Sequence, residues 1–283
     1  MRILHTHGYR PHCVLGTATL ALLLAFPSRA EVADPLLAEP ESRWVLGMVS
    51  TYSPGYAGAG QNQWKLRPMW AWQRGRFRIS TSRGSSLLGF GGEAVGSGAS
   101  AQLVETRGFK VGASLRFDAG RQASDSPELV GLPEVRRTLR GRLAASWALT
   151  PTWSLSSGVS QDLLGRQGGA VGTVDLGTGG RLGEQSAWSA GAGVAVANSQ
   201  YMRSYFGVGE AASLASGLPT YDARGGLKDM HAGLGFTTPI DSHWIAFGAV
   251  GVSRLMGDAT SSPLTKSLTG ASANIGLAYR CCR

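Results

Sequence analysis

Two histidines, His231 and His243, are the side chains in the body of this chain best suited to acid–base chemistry. A hydrolase would need one of them to activate a nucleophile while an acid orients the ring. No Gly-x-Ser-x-Gly sequence supplies such a nucleophile, and the two histidines stand near predicted strand ends, beside Met230 and Trp244. This context favours a structural or interfacial role, so we predict no catalytic residue and no enzymatic activity.

Cofactor and metal motifs are equally sparse. The chain has no Gly-x-x-x-x-Gly-Lys phosphate loop, and Gly191-Ala192-Gly193 lacks the third glycine of a dinucleotide loop. Cys281-Cys282 is an adjacent pair, which matches no zinc-ligand spacing. Carboxylates could ligate calcium, but the spacing of Asp118, Asp125 and Asp258 follows no known calcium-binding loop. We therefore predict neither a cofactor nor a metal site.

Basic side chains form a clearer chemical pattern, because several of them fall on the polar positions of alternating stretches. They are Arg76, Arg78, Lys110, Arg116, Arg136, Arg140 and Arg142. Inside a barrel, such residues could form a constriction that prefers anions. They could instead pair with carboxylates such as Asp118 and Asp162 and fill the interior. The modest interior of a small barrel favours the ion-paired filling, and both interpretations stay open here.

The elements that position these residues are predicted to be β-strands, because side chains alternate with a two-residue period along most of the chain. In the last such stretch, apolar Ile275, Leu277 and Tyr279 alternate with Asn274 and Arg280. About ten residues is the length of a tilted membrane-crossing strand. We predict about twelve strands, with ten or fourteen as alternatives: 44–52, 64–73, 76–82, 101–106, 109–118, 138–149, 152–160, 169–178, 188–197, 231–237, 243–254 and 271–281.

Two features favour a transmembrane β-barrel over a soluble sandwich. Trp147 and Trp153 flank a predicted tight turn on the apolar phase, where a membrane barrel places interfacial aromatic residues. The opposite phases are rich in Ser, Gly and Arg, which suits a solvated lumen. Pro68 predicts a bulge or a strand end. Surface loops are predicted where Gly, Ser and Pro cluster, at 53–63, 87–98, 120–134 and 257–270.

The N-terminus has the order of a secretory signal, with Arg2 and Arg10, an apolar run over 14–26 and a small-x-small end at Ala30. We predict a cleaved signal peptide at 1–30, a short periplasmic segment at 31–43 and one barrel domain at 44–283. An exported barrel is expected in the cell outer membrane of a Gram-negative cell. Without the three arginines of the predicted signal, the exported chain has 24 basic and 18 acidic residues, and its net charge of +6 suits lipopolysaccharide phosphates or a pore better than nucleic acid.

Short segments spread over residues 44–280 share their order and spacing with one protein family. They are Tyr52-Ser53-Pro54-Gly55-Tyr56-Ala57-Gly58, 119–121, 129–135, Tyr205-Phe206-Gly207-Val208, 215–221, 225–226, 253–259 and 262–264. In these segments the chain resembles the MipA/OmpV family of outer-membrane proteins, also called MltA-interacting proteins. The resemblance implies an exported barrel without known catalytic residues. It also implies a scaffold that links a periplasmic lytic transglycosylase with a murein synthase, and the alternative is a narrow solute channel or stress-related permeability protein.

The C-terminus departs from the family pattern. Such barrels usually end in an aromatic residue that the assembly machinery reads, whereas here Cys281 occupies that place and Cys282-Arg283 follow. We expect this ending either to weaken the assembly signal or to reflect a local change of the sequence at its last residues. The preceding positions stay in register, so we expect Ile275, Leu277 and Tyr279 to face lipid while Asn274 and Arg280 face the lumen.

Overall fold

The structure is a computed structural model that describes residues 43–81 and 97–281. Twelve antiparallel strands close into a barrel, in which each strand pairs with its sequence neighbours and the last pairs with the first. The strands are β1 (Arg43–Pro54), β2 (Asn62–Arg74), β3 (Phe77–Ser80), β4 (Gly98–Thr106), β5 (Phe109–Asp118), β6 (Thr138–Ala148), β7 (Trp153–Asp162), β8 (Ala170–Leu182), β9 (Ser186–Ala197), β10 (Gly226–Pro239), β11 (Trp244–Leu255) and β12 (Thr269–Cys281). The prediction of an all-β antiparallel barrel of about twelve strands is confirmed.

The last strand shows how alternation sets the two faces of the wall. Ile275 and Leu277 are 66% and 47% exposed, whereas Ala278 between the outer positions is 3% exposed. Their pairing with β1 places Ile275, Leu277 and Tyr279 on the outer face together with exposed Leu46 and Met48. The predicted register is confirmed, since the inner positions hold Asn274 and Arg280.

The two ends of the barrel differ in loop length. At the end that we call the short-turn end, the strands are joined by residues 75–76, 107–108, 149–152, 183–185 and 240–243. At the opposite, long-loop end, the fully described connections are 55–61, 119–137, 163–169, 198–225 and 256–268. Outer-membrane barrels have short periplasmic turns and longer extracellular loops, so the short-turn end corresponds to the periplasmic side.

Aromatic rings lie on the outer wall near both ends. Trp147 and Trp153 flank the turn at 149–152, as predicted, and are 38% and 43% exposed. The Trp147 ring lies 5.3 Å from that of Phe109. At the long-loop end, the rings of Tyr52 and Trp64 are 5.0 Å apart. Two aromatic belts around an apolar band are what a membrane-spanning barrel presents to the lipid–water interfaces.

The long loops fold into a packed layer, which we call the cap. It contains α1 (Ser199–Phe206), α2 (Glu210–Ser216) and short 3-10 turns at Ala123–Asp125, Pro127–Leu129 and Gly257–Ser261. The side chain of Asn198 starts α1 by accepting a hydrogen bond from the Tyr201 N–H, at 2.9 Å. The sequence pattern predicts neither helix, because elements this short show little periodicity. Among the helices in the described part of the chain, none is long and apolar enough to span a membrane.

Two apolar clusters hold the cap together. In the first, Met202 and Phe206 of α1 are 0% and 1% exposed and pack with the inward-facing Val171 and Ala197 of the barrel wall. The second joins four different loops and consists of Tyr56, Ala59, Leu129, Leu132, Val208, Ala212 and Leu264. Because the first cluster includes wall residues that point inward, α1 lies within the mouth of the barrel.

Two detailed expectations are wrong. Pro68 neither forms a bulge nor ends β2, because it lies opposite Met48 in an unbroken β1–β2 register. Trp70, on the same phase as Pro68, exchanges hydrogen bonds with Thr81 on the β3 side. The nitrogen of Pro68 therefore points to the β3 side, so its lack of an N–H removes no hydrogen bond between β1 and β2. Arg136 is exposed in the connection before β6, so it is not a lumen residue.

Some predictions fall outside the described residues. These are the signal peptide at 1–30, nearly all of the segment at 31–43, most of the loop at 87–98, and residues 282–283. The effect of the Cys281-Cys282-Arg283 ending on assembly and the proposed domain boundaries stay predictions.

Candidate functional site

His231 lies inside the barrel rather than at a strand end, because β10 begins earlier than predicted, at Gly226. Its Nε2 is 2.7 Å from Oδ1 of Asp175, and its Nδ1 is 2.9 Å from Oδ1 of Asp229. Carboxylates therefore occupy both ring nitrogens, which leaves neither of them to activate a hydroxyl nucleophile.

His243 lies in the turn directly before β11, at the edge of the predicted strand 243–254. Its Nδ1 is 2.8 Å from Oγ of Ser242, and its ring stacks on Tyr279 at 5.5 Å. The nearby Asp241 accepts hydrogen bonds from the main-chain N–H groups of His243 and Trp244, at 2.7 Å each, instead of orienting the ring. These N–H donors lower the pKa of Asp241. The geometry is that of a turn and not of a catalytic triad.

The carboxylates considered for calcium do not converge. Asp118 pairs with Arg140, Asp125 accepts from the Gln122 N–H at 2.8 Å, and Asp258 lies 3.3 Å from Nε of Arg224. Over residues 43–81 and 97–281, no group of three or more His, Cys, Asp or Glu could hold a metal ion.

One of the predicted lumen ion pairs forms just beneath the cap. Nε of Arg140 donates to Oδ2 of Asp118 at 2.7 Å, and the Tyr205 hydroxyl donates to the same oxygen at 3.2 Å. The other predicted acid partner, Asp162, accepts instead from the side-chain hydroxyl or main-chain N–H groups of Thr138, Leu164 and Gly168. This upper part of the lumen matches the ion-paired filling that the sequence favoured.

The Tyr201 ring of α1 contacts cations on two separate strands of the wall. Its ring lies 5.4 Å from the guanidinium of Arg140 on β6 and 5.3 Å from Nζ of Lys228 on β10. Cations over an aromatic face are attracted by its quadrupole. Lys228 is also 3.0 Å from Oδ2 of Asp229, the partner of His231. The charged network of the wall thus continues directly into the cap.

The cap loops are joined by buried polar groups. Arg121 is 3% exposed and donates to the main-chain carbonyls of Tyr205, at 2.7 Å, and Pro133, at 3.2 Å. The Tyr56 hydroxyl oxygen lies 2.6 Å from Oε2 of Glu128 and 2.9 Å from the Leu264 carbonyl, and its single proton is donated to one of these two acceptors. Burial lowers the pKa of Arg121. The pKa of Tyr56 is raised, mainly by burial and in addition by the Glu128 carboxylate.

Below this network, the lumen contains a cavity of about 520 Å³ that reaches the short turn at Gly75. We call it the basic pocket. Its cationic lining consists of Arg76, Arg78, Lys110, Arg116 and Arg142, and its described lining residues include no acid. The other polar groups are Gln73, Gln102, Ser100, Ser114, Ser146, Ser154, Ser156 and Ser157.

Strand register builds this pocket in rows across the wall. One row crosses β3 to β6 and consists of Arg78, Ser100, Ser114 and Arg142. The next row toward the short-turn end consists of Gln102, Gly112, Ala144 and Gly158. A third row consists of Lys110, Ser146 and Ser156. Successive rows on this face are two residues, or about 7 Å, apart along a strand. Gly112, Ala144 and Gly158 of the middle row have small or no side chains and leave space beside Gln102.

A comparison with protein-family models matches residues 46–281 to the family described as MltA-interacting protein MipA. No curated protein matches the chain. Among solved structures, the NanC porin is 9% identical, with a TM-score of 0.42 over 83% of this chain and 98% of that chain. OmpT, an outer-membrane protein of Vibrio cholerae, is 7% identical, with a TM-score of 0.41 over 85% and 97%. The toluene transporter TbuX of Ralstonia pickettii is 15% identical, with a TM-score of 0.35 over 86% and 90%.

The family match agrees with the physical character of the wall. A closed barrel pairs its backbone groups with one another, so that only side chains meet hydrocarbon. Here those outer side chains are apolar and are bounded by aromatic belts. The chain is therefore a β-barrel protein of the cell outer membrane, as predicted from the sequence.

Proposed function

This chain belongs to the MltA-interacting protein MipA family, and from that membership we propose that it is a non-enzymatic scaffold of the outer membrane. Its partners are a periplasmic lytic transglycosylase and a murein synthase, while outer-membrane lipid and lipopolysaccharide surround the wall. The observation that carries the proposal is the difference between the two ends of the barrel. The long-loop end is closed by the cap, whereas the short-turn end presents a compact rim toward the periplasm.

The contacts of the cap favour a closed barrel over a freely open channel. Opening the mouth would expose Met202 and Phe206, and fully buried side chains of this size each contribute about 1.5–3 kcal/mol. It would also break the hydrogen bond from Arg121 to the Tyr205 carbonyl, which joins two loops, and the contact of Tyr205 with Asp118. A barrel that costs this much to open is better suited to holding partners than to passing solutes.

The short turns supply the docking surface in this proposal. They expose residues of mixed charge close to the membrane surface, including Arg107 and Glu184. A periplasmic enzyme that meets this rim would be held near the outer membrane without entering the barrel. No side chain of the barrel needs to take part in the partner's chemistry.

Site-specific photocrosslinking in intact cells tests the scaffold. A photoreactive amino acid replaces Arg107 or Glu184 in the short turns and, as the matched control, Leu214 in α2, which is 89% exposed at the opposite end. We expect adducts with a lytic transglycosylase from the two turn positions and none from position 214. The proposal is wrong if the three positions give the same adducts, or if no murein enzyme is captured from either turn.

A narrow solute channel or stress-related permeability protein is the second candidate, and the basic pocket favours it. A cationic lumen can select anions, and the pocket reaches the short-turn end. Channel function would, however, require a path past the cap. Planar-bilayer recordings of the wild-type protein separate the two functions, because a permanent channel would conduct in steady, reproducible steps.

A further inference from the structure

Two arginines lie together at the rim of the long-loop end. Nη1 of Arg166, in the connection 163–169, donates to the main-chain carbonyl of Arg137 at 2.7 Å, and Arg137 directly precedes β6. Both residues are exposed. The Arg166 side chain thus reaches from the connection between β7 and β8 to the start of β6, and it places two cationic residues on one short part of the rim.

No acidic side chain of the described residues neutralises this pair. Over residues 43–81 and 97–281, no carboxylate lies within ion-pair distance of Arg137 or Arg166. The connection 163–169 contains no Asp or Glu. The acid that precedes Arg137 most closely in sequence is Glu134, and its Oε1 accepts from the Ala123 N–H at 3.4 Å. The two guanidinium groups are therefore available to an anion from outside the chain.

Directly below the pair, the outer wall presents an apolar row. The Leu163 N–H donates to the Leu139 carbonyl at 2.9 Å, and Leu139 pairs with Phe117 of β5. Phe117 and Leu163 are 68% and 53% exposed. Leu163 covers the outer face of β6, because a Cβ atom at Gly141 would lie 3.0 Å from its Cδ1. Since Leu139 follows Arg137 by two residues, or about 7 Å along a strand, the cations stand just above apolar side chains that face lipid.

The connection that carries Arg166 is fixed from inside the barrel. The Asp162 carboxylate accepts from the Gly168 N–H at 2.9 Å, and the Ser204 hydroxyl of α1 donates to the Gln167 carbonyl at 2.7 Å. Gln167 has a φ angle of 65°, the only positive value of a residue other than glycine in the described part of the chain. Such a conformation persists only where surrounding contacts hold it. Because the loop is already ordered, a ligand has less conformational entropy to overcome.

We propose that this part of the rim binds lipid A, the phosphorylated glucosamine anchor of lipopolysaccharide, in the outer leaflet. Arg137 and Arg166 bind its phosphate groups, since guanidinium matches phosphate in charge and geometry. Its acyl chains lie on Phe117 and Leu163. The long-loop end is the extracellular end of an outer-membrane barrel, so the site lies in the leaflet that contains this lipid. The site deepens the proposed contact between the wall and lipopolysaccharide, on which it rests, and it needs no murein enzyme.

Native mass spectrometry of the full exported chain, folded in detergent micelles, tests this site. The probes are diphosphoryl lipid A, phosphatidylglycerol and glucosamine 1-phosphate. Phosphatidylglycerol is an anionic lipid with a single phosphate, and glucosamine 1-phosphate has the sugar and a phosphate without acyl chains. At equal concentration, we expect one lipid A molecule to be retained per barrel and the other two probes to be retained far less.

Variants locate the site. The double variant Arg137→Gln/Arg166→Gln should weaken lipid A binding at least about tenfold, since each basic residue near an anionic membrane surface contributes roughly fivefold. Arg74→Gln/Arg181→Gln is the matched control, because it removes two exposed charges at the short-turn end, and it should leave binding unchanged. Leu163→Asn interrupts the apolar row and should weaken the binding of lipid A without changing that of glucosamine 1-phosphate.

Heat-modifiable gel mobility shows whether each variant has folded, and the lipid preference of the wild type decides the question if the double variant at the rim fails to fold. The proposal is wrong if the wild type retains phosphatidylglycerol as tightly as lipid A, or if the folded rim variant keeps wild-type affinity. It is also wrong if the short-turn control loses as much affinity as the rim variant. Equal binding of glucosamine 1-phosphate and lipid A would contradict it too, because the site would then recognise phosphate and not the lipid. Because these measurements use no murein enzyme, their failure and that of the scaffold proposal are distinguishable.

Discussion

At the scale of single residues, the segments that resemble the family converge on the cap. Tyr56, Arg121, Phe206 and Leu264 come from distant parts of the sequence, yet they share hydrogen bonds or apolar contacts there. The Ser262 hydroxyl, for example, donates to the Phe206 carbonyl at 2.6 Å. These residues join loops to one another through hydrogen bonds and apolar contacts.

Two tyrosines of the cap should make it sensitive to alkali. Burial raises the pKa of both Tyr56 and Tyr205, with further increases from Glu128 and from Tyr201 and Asp118, respectively. A raised folded-state pKa stabilises the cap fully below the ordinary tyrosine value, about pH 10, and this contribution is lost as pH rises through the folded value. Absorbance at 295 nm should therefore show a late-ionising phase that includes the tyrosines Tyr56 and Tyr205, together with Tyr221, whose pKa burial also raises. Tyr56→Phe and Tyr205→Phe should each remove one, and an undiminished late phase in the double variant would refute this assignment.

At the scale of elements, strand register decides which side chains meet lipid. Adjacent residues of β12 point to opposite faces, so Ile275 is 66% exposed on the outer wall while Asn274 faces the lumen. A slip of one residue would exchange the two faces of the whole strand. The pairing of β12 with both β1 and β11 prevents such a slip.

A matched pair of substitutions should reveal this register. Ile275→Lys places a charge on the lipid face near the middle of β12, where it costs up to about 2–4 kcal/mol. Asn274→Lys introduces the same charge on the lumen side and should cost far less. The free energy of unfolding in lipid vesicles, measured by urea titration, should differ between the variants by about that amount. Equal losses would show that the two positions do not lie on opposite faces.

At the scale of the whole molecule, the two ends of the barrel differ: the cap covers the long-loop end, whereas the basic pocket reaches the short-turn end. The cap and its ion pairs fill the upper lumen, whereas the basic pocket occupies the part near the short turns. This polarity fits a protein that works toward the periplasm. The ion-paired filling describes the upper level of the lumen, whereas an anion-preferring constriction at the lower level stays a prediction.

The cap should govern conductance. The wild-type protein is expected to show no steady channels in planar bilayers, because α1 occupies the mouth. Arg121→Leu removes the hydrogen bond to the Tyr205 carbonyl, which joins the 119–137 and 198–225 connections, and should produce brief, anion-preferring openings. Arg137→Leu is the control, since this residue is exposed in the same connection. Stable channels in the wild type would favour the permeability function over the scaffold.

The sequence by itself determined the barrel, its outer face and its family. A wall between lipid and lumen imposes a two-residue period on every strand, and this local signal is readable wherever a strand is long enough. For that reason the sequence could predict that Ile275 and Leu277 face lipid. It could also predict the two tryptophans beside the turn at 149–152.

The cap, the site of His231 and the basic pocket were decided only by the tertiary structure. The cap joins loops that are far apart in sequence, for example through the hydrogen bond from Arg121 to the Tyr205 carbonyl. The periodicity of the sequence does not predict such contacts. The pocket needs Arg78 and Arg142 to share a row, and that depends on three successive strand registers. The physical reason is that alternation assigns a residue to a face, whereas its height on that face and its neighbours there are set by pairing between strands.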